Sequence, residues 1–158
     1  MIRRYTKQKI GEWTLSYSIA QRKTDVKVNL NTRQFGELEF DDSIVYHFPN
    51  GLLGFEELHK FIVINDKETE PLRWLLSIED PDIGFPILEI AQIAPEVNKE
   101  ISADTLNSLA TFVVVTLNRS PEPMTVNLRA PVVLNNAAKT GKQVVLNSDK
   151  YSTRHVIN

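Results

Sequence analysis

The chain has 158 residues, of which 42% are hydrophobic and 24% charged, and its formal net charge is −2 at pH 7. This length and composition fit one globular domain with a sizeable core, and the lack of cysteine excludes disulfides and thiolate metal sites. The N-terminus continues into polar residues, and no apolar run approaches the roughly 18 residues of a membrane helix. We therefore expect a cytoplasmic protein without a signal peptide.

The charge is unevenly distributed along the chain. Residues 1–25 carry six basic and two acidic side chains, a balance of +4, whereas residues 26–158 carry twelve basic and eighteen acidic ones, a balance of −6. An acidic body argues against binding to a phosphate backbone and favours a basic protein partner. We accordingly divide the chain into a basic N-terminal extension, residues 1–25, and a domain comprising residues 26–158.

Within the extension, apolar and polar residues alternate from Trp13 to Ile19, which is typical of a strand. The segment is interpreted as an additional strand, a flexible arm, or sequence that is not part of the native protein.

From Val26 onward the chain shows short β patterns separated by turn residues. The predicted strands are 26–31, 35–40, 44–48, 61–64, 72–78, 84–90, 111–117, 124–135 and 143–146. One helical turn is expected over 55–60, and a helix from Ser102 to Leu109 with Ser102 as its N-cap. About nine short strands with one or two short helices predict a mainly β fold, a small β-barrel-like single domain.

The segment from Met124 to Asn135 is predicted to be central to the fold. Alternating residues place Met124, Val126, Leu128 and Ala130 on a buried face and Thr125, Asn127 and Arg129 on the exposed one. Pro131 cannot donate a ladder hydrogen bond, so we expect the strand to turn a corner at Ala130-Pro131. The polar tail from Tyr151 to Asn158 either packs on the barrel or frays.

Residue patterns for catalysis or cofactor binding are missing. The three histidines are far apart without metal-ligand spacing, and no phosphate-binding loop or nucleophile motif is present. Glu79, Asp80 and Asp82 form an acidic turn closed by Pro81, which is either a solvated turn or a surface for a basic partner. We expect no enzyme, no metal and no cofactor.

Several motifs together resemble those of the flagellar assembly factor FliW family. They keep consistent order and spacing from about Val26 to the C-terminus, and they lie at 35–40, 48–56, 74–81, 124–135, 141–146 and 151–155. The sequence departs from the family pattern at Leu53 and Val156, where proline is usual, and at Leu76, where glutamine is usual.

The resemblance implies a non-enzymatic protein that binds the carbon storage regulator CsrA, an RNA-binding translational repressor, and thereby relieves repression of flagellin mRNA. It also implies binding to flagellin, which makes the protein a partner switch or chaperone. The acidic body suits a basic partner such as CsrA. As the contact surface we predict Glu79, Asp80 and Asp82, together with Asn127 and Arg129.

Two further hypotheses concern the basic extension. Val26 stands where the family pattern has its initiator methionine, so translation is hypothesised to start there, at a GTG codon, although the strand pattern of 13–19 counts against this. The alternative function is a nucleic-acid-binding β-barrel that uses the basic N-terminal arm, which predicts RNA binding that is strongly salt-dependent.

Overall fold

The structure, a computed structural model, describes residues 3–5, 26–102 and 109–158. Its strands are β1 Arg3–Tyr5, β2 Lys27–Thr32, β3 Gly36–Asp41, β4 Tyr46–His47, β5 Lys60–Asn65, β6 Arg73–Ser77, β7 Gly84–Glu89, β8 Leu109–Thr116, β9 Thr125–Val126, β10 Val132–Asn135, β11 Thr140–Gln143 and β12 His155–Val156. One α-helix, α1, spans Pro95–Ser102, and two 3-10 helices span Asp42–Ile44 and Ile90–Gln92.

Seven of these strands close into a barrel. Their order is β4, β5, β6, β7, β8, β10 and β11, and the parallel pairing of Thr140 in β11 with His47 in β4 completes the ring. The other neighbouring pairs in the ring are antiparallel. This architecture confirms the prediction of a mainly β, barrel-like fold.

Alternation along the strands fills the barrel interior with apolar side chains. Phe61 from β5, Leu75 from β6 and Ile87 from β7 lie in one buried cluster, because every second side chain of a strand points to the same face. Phe48, just after β4, belongs to the same cluster and packs edge-to-face on Phe61 with ring centroids 4.9 Å apart. Closure of the sheet removes the free edges that a β domain otherwise exposes.

The hairpin of β2 and β3 covers the outer face of β5 and β6. Leu38 and Phe40 from β3 pack with Ile62 from β5 and with Trp74 and Leu76 from β6. The family pattern has a polar glutamine at the position of Leu76, yet this leucine is only 1% exposed. Its side chain therefore contributes to the interface between hairpin and barrel and not to the protein surface.

A second layer covers the outer face of β7 and β8, and it includes the C-terminal tail. Leu88 and Val113 pack with Val97 of α1 and with Tyr151 of the tail. The Tyr151 hydroxyl donates a 2.6 Å hydrogen bond to Glu100, and β12 pairs with β9. The tail thus packs on the barrel and does not fray.

The segment from Met124 to Asn135 runs along β8 as two short strands. Val126 pairs with Val115 and Val132 pairs with Phe112, so residues 127–131 form a bulge opposite only two residues of β8. The predicted corner is present, but the strand is interrupted already at Asn127. The predicted buried face is confirmed at Val126, Leu128 and Ala130. The prediction is wrong at Thr125, which is buried, and at Met124, which is exposed.

Both helix predictions need correction. Ser102, predicted as an N-cap, is the last residue of α1, and Leu109, predicted to end the helix, begins β8, while residues 103–108 lie outside the described residues. The helix starts at Pro95, whose fixed φ and missing N–H suit the first helical position. Residues 56–57 form a turn and not a helical one, the Leu58 N–H donates to the Phe55 carbonyl at 3.2 Å, and Lys60 already begins β5. The predicted strand at 13–19 also lies outside the described residues.

Candidate partner-binding surface

The acidic turn connects β6 to β7 at one end of the barrel. Ser77, which is fully buried, accepts hydrogen bonds at its hydroxyl oxygen from the backbone N–H groups of Glu79 and Asp80, at 3.2 and 3.0 Å. The Ile83 N–H donates to the Asp80 carbonyl at 3.0 Å and closes the turn. These bonds fix the backbone, so the direction in which the turn presents its carboxylates is set by the fold.

Glu79 is engaged within the protein. Its Oε2 atom accepts hydrogen bonds from the backbone N–H groups of His59 and Lys60, the second at 2.9 Å. Those two N–H groups lie where the chain enters β5, and the Lys60 carbonyl in turn accepts from the Ile78 N–H. Glu79 therefore ties the turn to the start of β5, and its charge is less available to a partner than the sequence indicates.

Asp80 and Asp82 present their carboxylates to solvent. Asp80 Oδ1 accepts a 3.2 Å hydrogen bond from the Asp82 N–H. Asp82 Oδ2 lies 3.7 Å from an Arg33 guanidinium nitrogen, and these two side chains are 60% and 86% exposed. An ion pair this long and exposed contributes little energy, so a partner can replace it at low cost.

An open cavity lies between the turn and the tip of the β2–β3 hairpin. Its volume is about 290 Å³, and it is lined by Arg33, Gln34, Leu76, Pro81, Asp82 and Gly84. The acidic turn therefore borders a concave surface, to which the hairpin tip adds a basic side chain. Sequence reasoning could not find Arg33, because a contact between two distant turns has no local pattern.

Asn127 and Arg129 lie in the bulge. Asn127 Oδ1 accepts hydrogen bonds from the N–H groups of Arg129 and Ala130, both at 3.1 Å, so its side chain shapes the corner. An Arg129 guanidinium nitrogen lies 3.3 Å from Asp149 Oδ1, and the Arg129 side chain is 40% exposed. Of the two, only Arg129 offers a charged group to solvent.

The structure does not bring the acidic turn and the bulge together. The turn ends at β7, while the bulge lies beside β8 on the side away from β7, so β8 lies between them. Two inter-strand spacings correspond to about 10 Å across the sheet. The five predicted residues therefore belong to two patches, one acidic and one containing Arg129.

The exposed apolar side chains of Leu53 and Val145 are a third surface feature, which was not predicted from the sequence. The Leu53 N–H donates a 2.9 Å hydrogen bond to Gln143 Oε1, which a proline at this family position could not make. The side chains of Leu53 and Val145 are 58% and 57% exposed. The sequence predicted a strand at 143–146, which would include Val145, but the strand here, β11, spans Thr140–Gln143 and ends before Val145.

The loop that carries Leu53 is held by two glycines. Gly51 has φ 61° and Gly54 has φ 83°, a left-handed conformation that glycine adopts without steric cost. The Gly54 N–H donates to Glu56 Oε1 at 3.0 Å, and this hydrogen bond lowers the pKa of the Glu56 carboxyl. The loop is thus built to place Leu53 outward beside Gln143.

Within the described ranges, no group of three or more His, Cys, Asp or Glu side chains could hold a metal ion. In the same ranges, no helix is long and apolar enough to cross a membrane.

Comparisons with known proteins agree with one another. The family model described as FliW protein matches residues 29–157. The flagellar assembly factor FliW of Caldanaerobacter subterraneus is 37% identical over 139 residues, covering 82% of this chain and 93% of the relative. That of Thermotoga petrophila is 36% identical over 134 residues, covering 79% and 90%. A crystal structure of the flagellar assembly factor FliW matches with a TM-score of 0.70 and 28% identity, covering 82% of this chain and 96% of that one.

Proposed function

The chain belongs to the FliW family of flagellar assembly factors, and from this premise we propose that it binds two proteins in exchange. One is CsrA, whose repression of flagellin mRNA it relieves in the cytoplasm, and the other is flagellin. The family consists of assembly factors and not of enzymes, which confirms the prediction that the chain is not an enzyme.

The acidic turn is the observation that carries the proposed contact with CsrA. Asp80 and Asp82 sit on a turn whose backbone is fixed by the buried Ser77, so their negative charges are presented without further ordering of the chain. Preorganised charge lowers the entropic cost of association with a basic surface. The balance of −6 over residues 26–158 adds a long-range attraction for the same kind of partner.

We propose distinct roles for the predicted contact residues. Asp80 and Asp82 are proposed to contact CsrA directly, while Glu79 and Asn127 maintain the turn and the bulge through backbone hydrogen bonds. Arg129, two strands away, belongs to a different patch and is proposed to lie outside the centre of the CsrA contact.

The test is a calorimetric titration with CsrA from the same genome, using the double variant Asp80→Lys/Asp82→Lys. Removing two favourable charges and adding two unfavourable ones is expected to weaken binding by about tenfold or more. The dependence of affinity on salt should also decrease, because fewer opposite charges meet across the interface.

The matched control is Glu68→Lys/Glu70→Lys, in the connection between β5 and β6 at the opposite end of the barrel. Both residues are exposed, and the change of net charge is identical. This variant should keep near wild-type affinity. If both double variants weaken binding equally, only overall charge matters and the assignment to the turn is wrong.

The exchange is tested by adding flagellin to the preformed complex with CsrA. We expect flagellin to suppress CsrA binding. Flagellin binding without any CsrA binding would contradict the translational part of the proposal and leave a flagellin-binding assembly factor. RNA binding by the free protein with a steep salt dependence would instead favour the nucleic-acid-binding alternative, which rests on the basic extension.

A further inference from the structure

A short N-terminal strand lies beside the β2–β3 hairpin. β1 pairs in parallel with β3, with Arg3 opposite Leu38, Arg4 opposite Glu39 and Tyr5 opposite Phe40. The barrel closes without this strand, so β1 is not needed to complete the ring. Its presence shows instead that β3 can accept an extended segment along the edge that does not pair with β2.

The two faces of β3 differ in character. Leu38 and Phe40 are each 1% exposed and pack against the barrel, so they hold the strand in place. Glu37 and Glu39 alternate with them on the other face, where Glu37 is exposed and Glu39 pairs with Lys27 at 3.3 Å. The edge is therefore rigid, and the outward face beside it is acidic.

The segment that the chain itself places on this edge is basic, because two of its three residues are arginines, and one of them, Arg4, is opposite Glu39. Main-chain hydrogen bonds give a strand-addition site its affinity, and side chains at alternate positions give it specificity. Opposite charges at facing positions of neighbouring strands stabilise the pairing. The edge consequently fits an extended segment with basic side chains.

We propose that the edge of β3 is a strand-addition site for an extended, basic segment of a partner protein, and that Arg3–Tyr5 occupies it within the same chain. The partner segment and Arg3–Tyr5 then compete for Leu38, Glu39 and Phe40. The site is separate from the acidic turn, so it does not rest on the contact proposed above for Asp80 and Asp82.

The test uses the full chain and a fluorescein-labelled peptide with the sequence of residues 2–9, followed by fluorescence anisotropy. In the variant Arg3→Pro/Arg4→Pro, at least one proline removes an N–H directed at β3, because successive residues of a strand direct their N–H groups to opposite sides. A tethered competitor acts at high effective concentration, so this variant should bind the peptide on the order of tenfold more tightly than wild type.

The control Arg3→Gln/Arg4→Gln removes the same charges but keeps both N–H groups, and it should release the edge less completely. Adding Glu39→Lys to the Arg3→Pro/Arg4→Pro variant is expected to reverse most of its gain in peptide affinity. If the Glu39→Lys variant folds poorly, Glu37→Lys replaces it and is expected to have the same effect. A control peptide with glutamate in place of both arginines should bind more weakly.

Two results would overturn the proposal. One is a folded proline variant that binds the peptide no better than wild type. The other is a gain in binding that neither Glu37→Lys nor Glu39→Lys reduces.

Discussion

Gly141 is the position at which the barrel leaves no room for any side chain. A Cβ atom there would lie 2.2 to 2.7 Å from three ring atoms of Phe48, whose side chain is fully buried. Carbon atoms pack best at about 3.5–4.0 Å, so Gly141→Ala forces the ring or the strand to move by more than about 1 Å. The ring has little freedom, because it packs edge-to-face on Phe61.

The expected cost follows from this overlap. Overpacking a well-packed core costs about 1–3 kcal/mol, and a clash with an enclosed ring should reach the upper end, about 3 kcal/mol. For a domain of this size, that loss lowers the melting temperature by roughly 6–12 °C. Urea denaturation followed by tryptophan fluorescence measures the free energy of unfolding.

Gly84→Ala is the matched control, because Gly84 also lies in a barrel strand. The nearest atom to its Cβ would be Leu76 Cδ1 at 3.3 Å, so this methyl group needs to move by only a few tenths of an ångström. Alanine also restricts the unfolded chain, which favours folding by about 0.4–1 kcal/mol. We therefore expect stability within about 0.5 kcal/mol of wild type, and an equal loss for the two alanine variants would refute the reasoning.

A double variant identifies the ring as the cause. Gly141→Ala combined with Phe48→Leu should lose less than the sum of the single changes, by at least about 1 kcal/mol, since the two positions are in contact. Strict additivity would mean that the strand, and not the ring, absorbs the methyl group.

Two further predictions concern hydrogen bonds that hold the surface elements. Glu79→Ala removes the acceptor for the His59 and Lys60 N–H groups and should lower the free energy of unfolding by about 1–2 kcal/mol. The control Asp80→Ala should change the free energy of unfolding by less than about 0.5 kcal/mol. Equal losses for the two variants in urea denaturation would contradict the structural role of Glu79. Tyr151→Phe removes the hydrogen bond to Glu100 and should lower the free energy of unfolding by about 1 kcal/mol. Amide hydrogen exchange at β12 should become faster. Unchanged exchange would show that packing of the Tyr151 ring alone holds the tail.

The strands were largely predictable because their pattern is local. The apolar runs that predicted strands at 61–64 and 72–78 correspond to β5 and β6, which pair antiparallel with each other. The turn at Glu79–Asp82 was also predictable, since acidic residues beside Pro81 are typical of turns. Each of these signals depends only on neighbours in sequence.

Features set by contacts between distant segments were not predictable. β5 alternates between Phe61 inside the barrel and Ile62 outside it, and both are buried because the β2–β3 hairpin covers the outer face. Sequence periodicity shows that both faces are apolar but not which segment covers each. The same limit explains the pairing of β11 with β4 and the contact between Arg33 and Asp82.

The candidate site shows why charge in a sequence is an incomplete guide to a binding surface. Glu79, Asp80 and Asp82 are equivalent by pattern, yet Glu79 accepts hydrogen bonds from two backbone N–H groups at the start of β5, whereas Asp80 accepts one within the turn, from Asp82, and both aspartates direct their carboxylates to solvent. An acceptor that ties the turn to another strand is retained for stability. Stability and binding must therefore be measured separately for each residue of this turn. A substitution that lowers the free energy of unfolding, as expected at Glu79, assigns the residue to folding, and one that weakens partner binding alone, as expected at Asp80 and Asp82, assigns it to recognition.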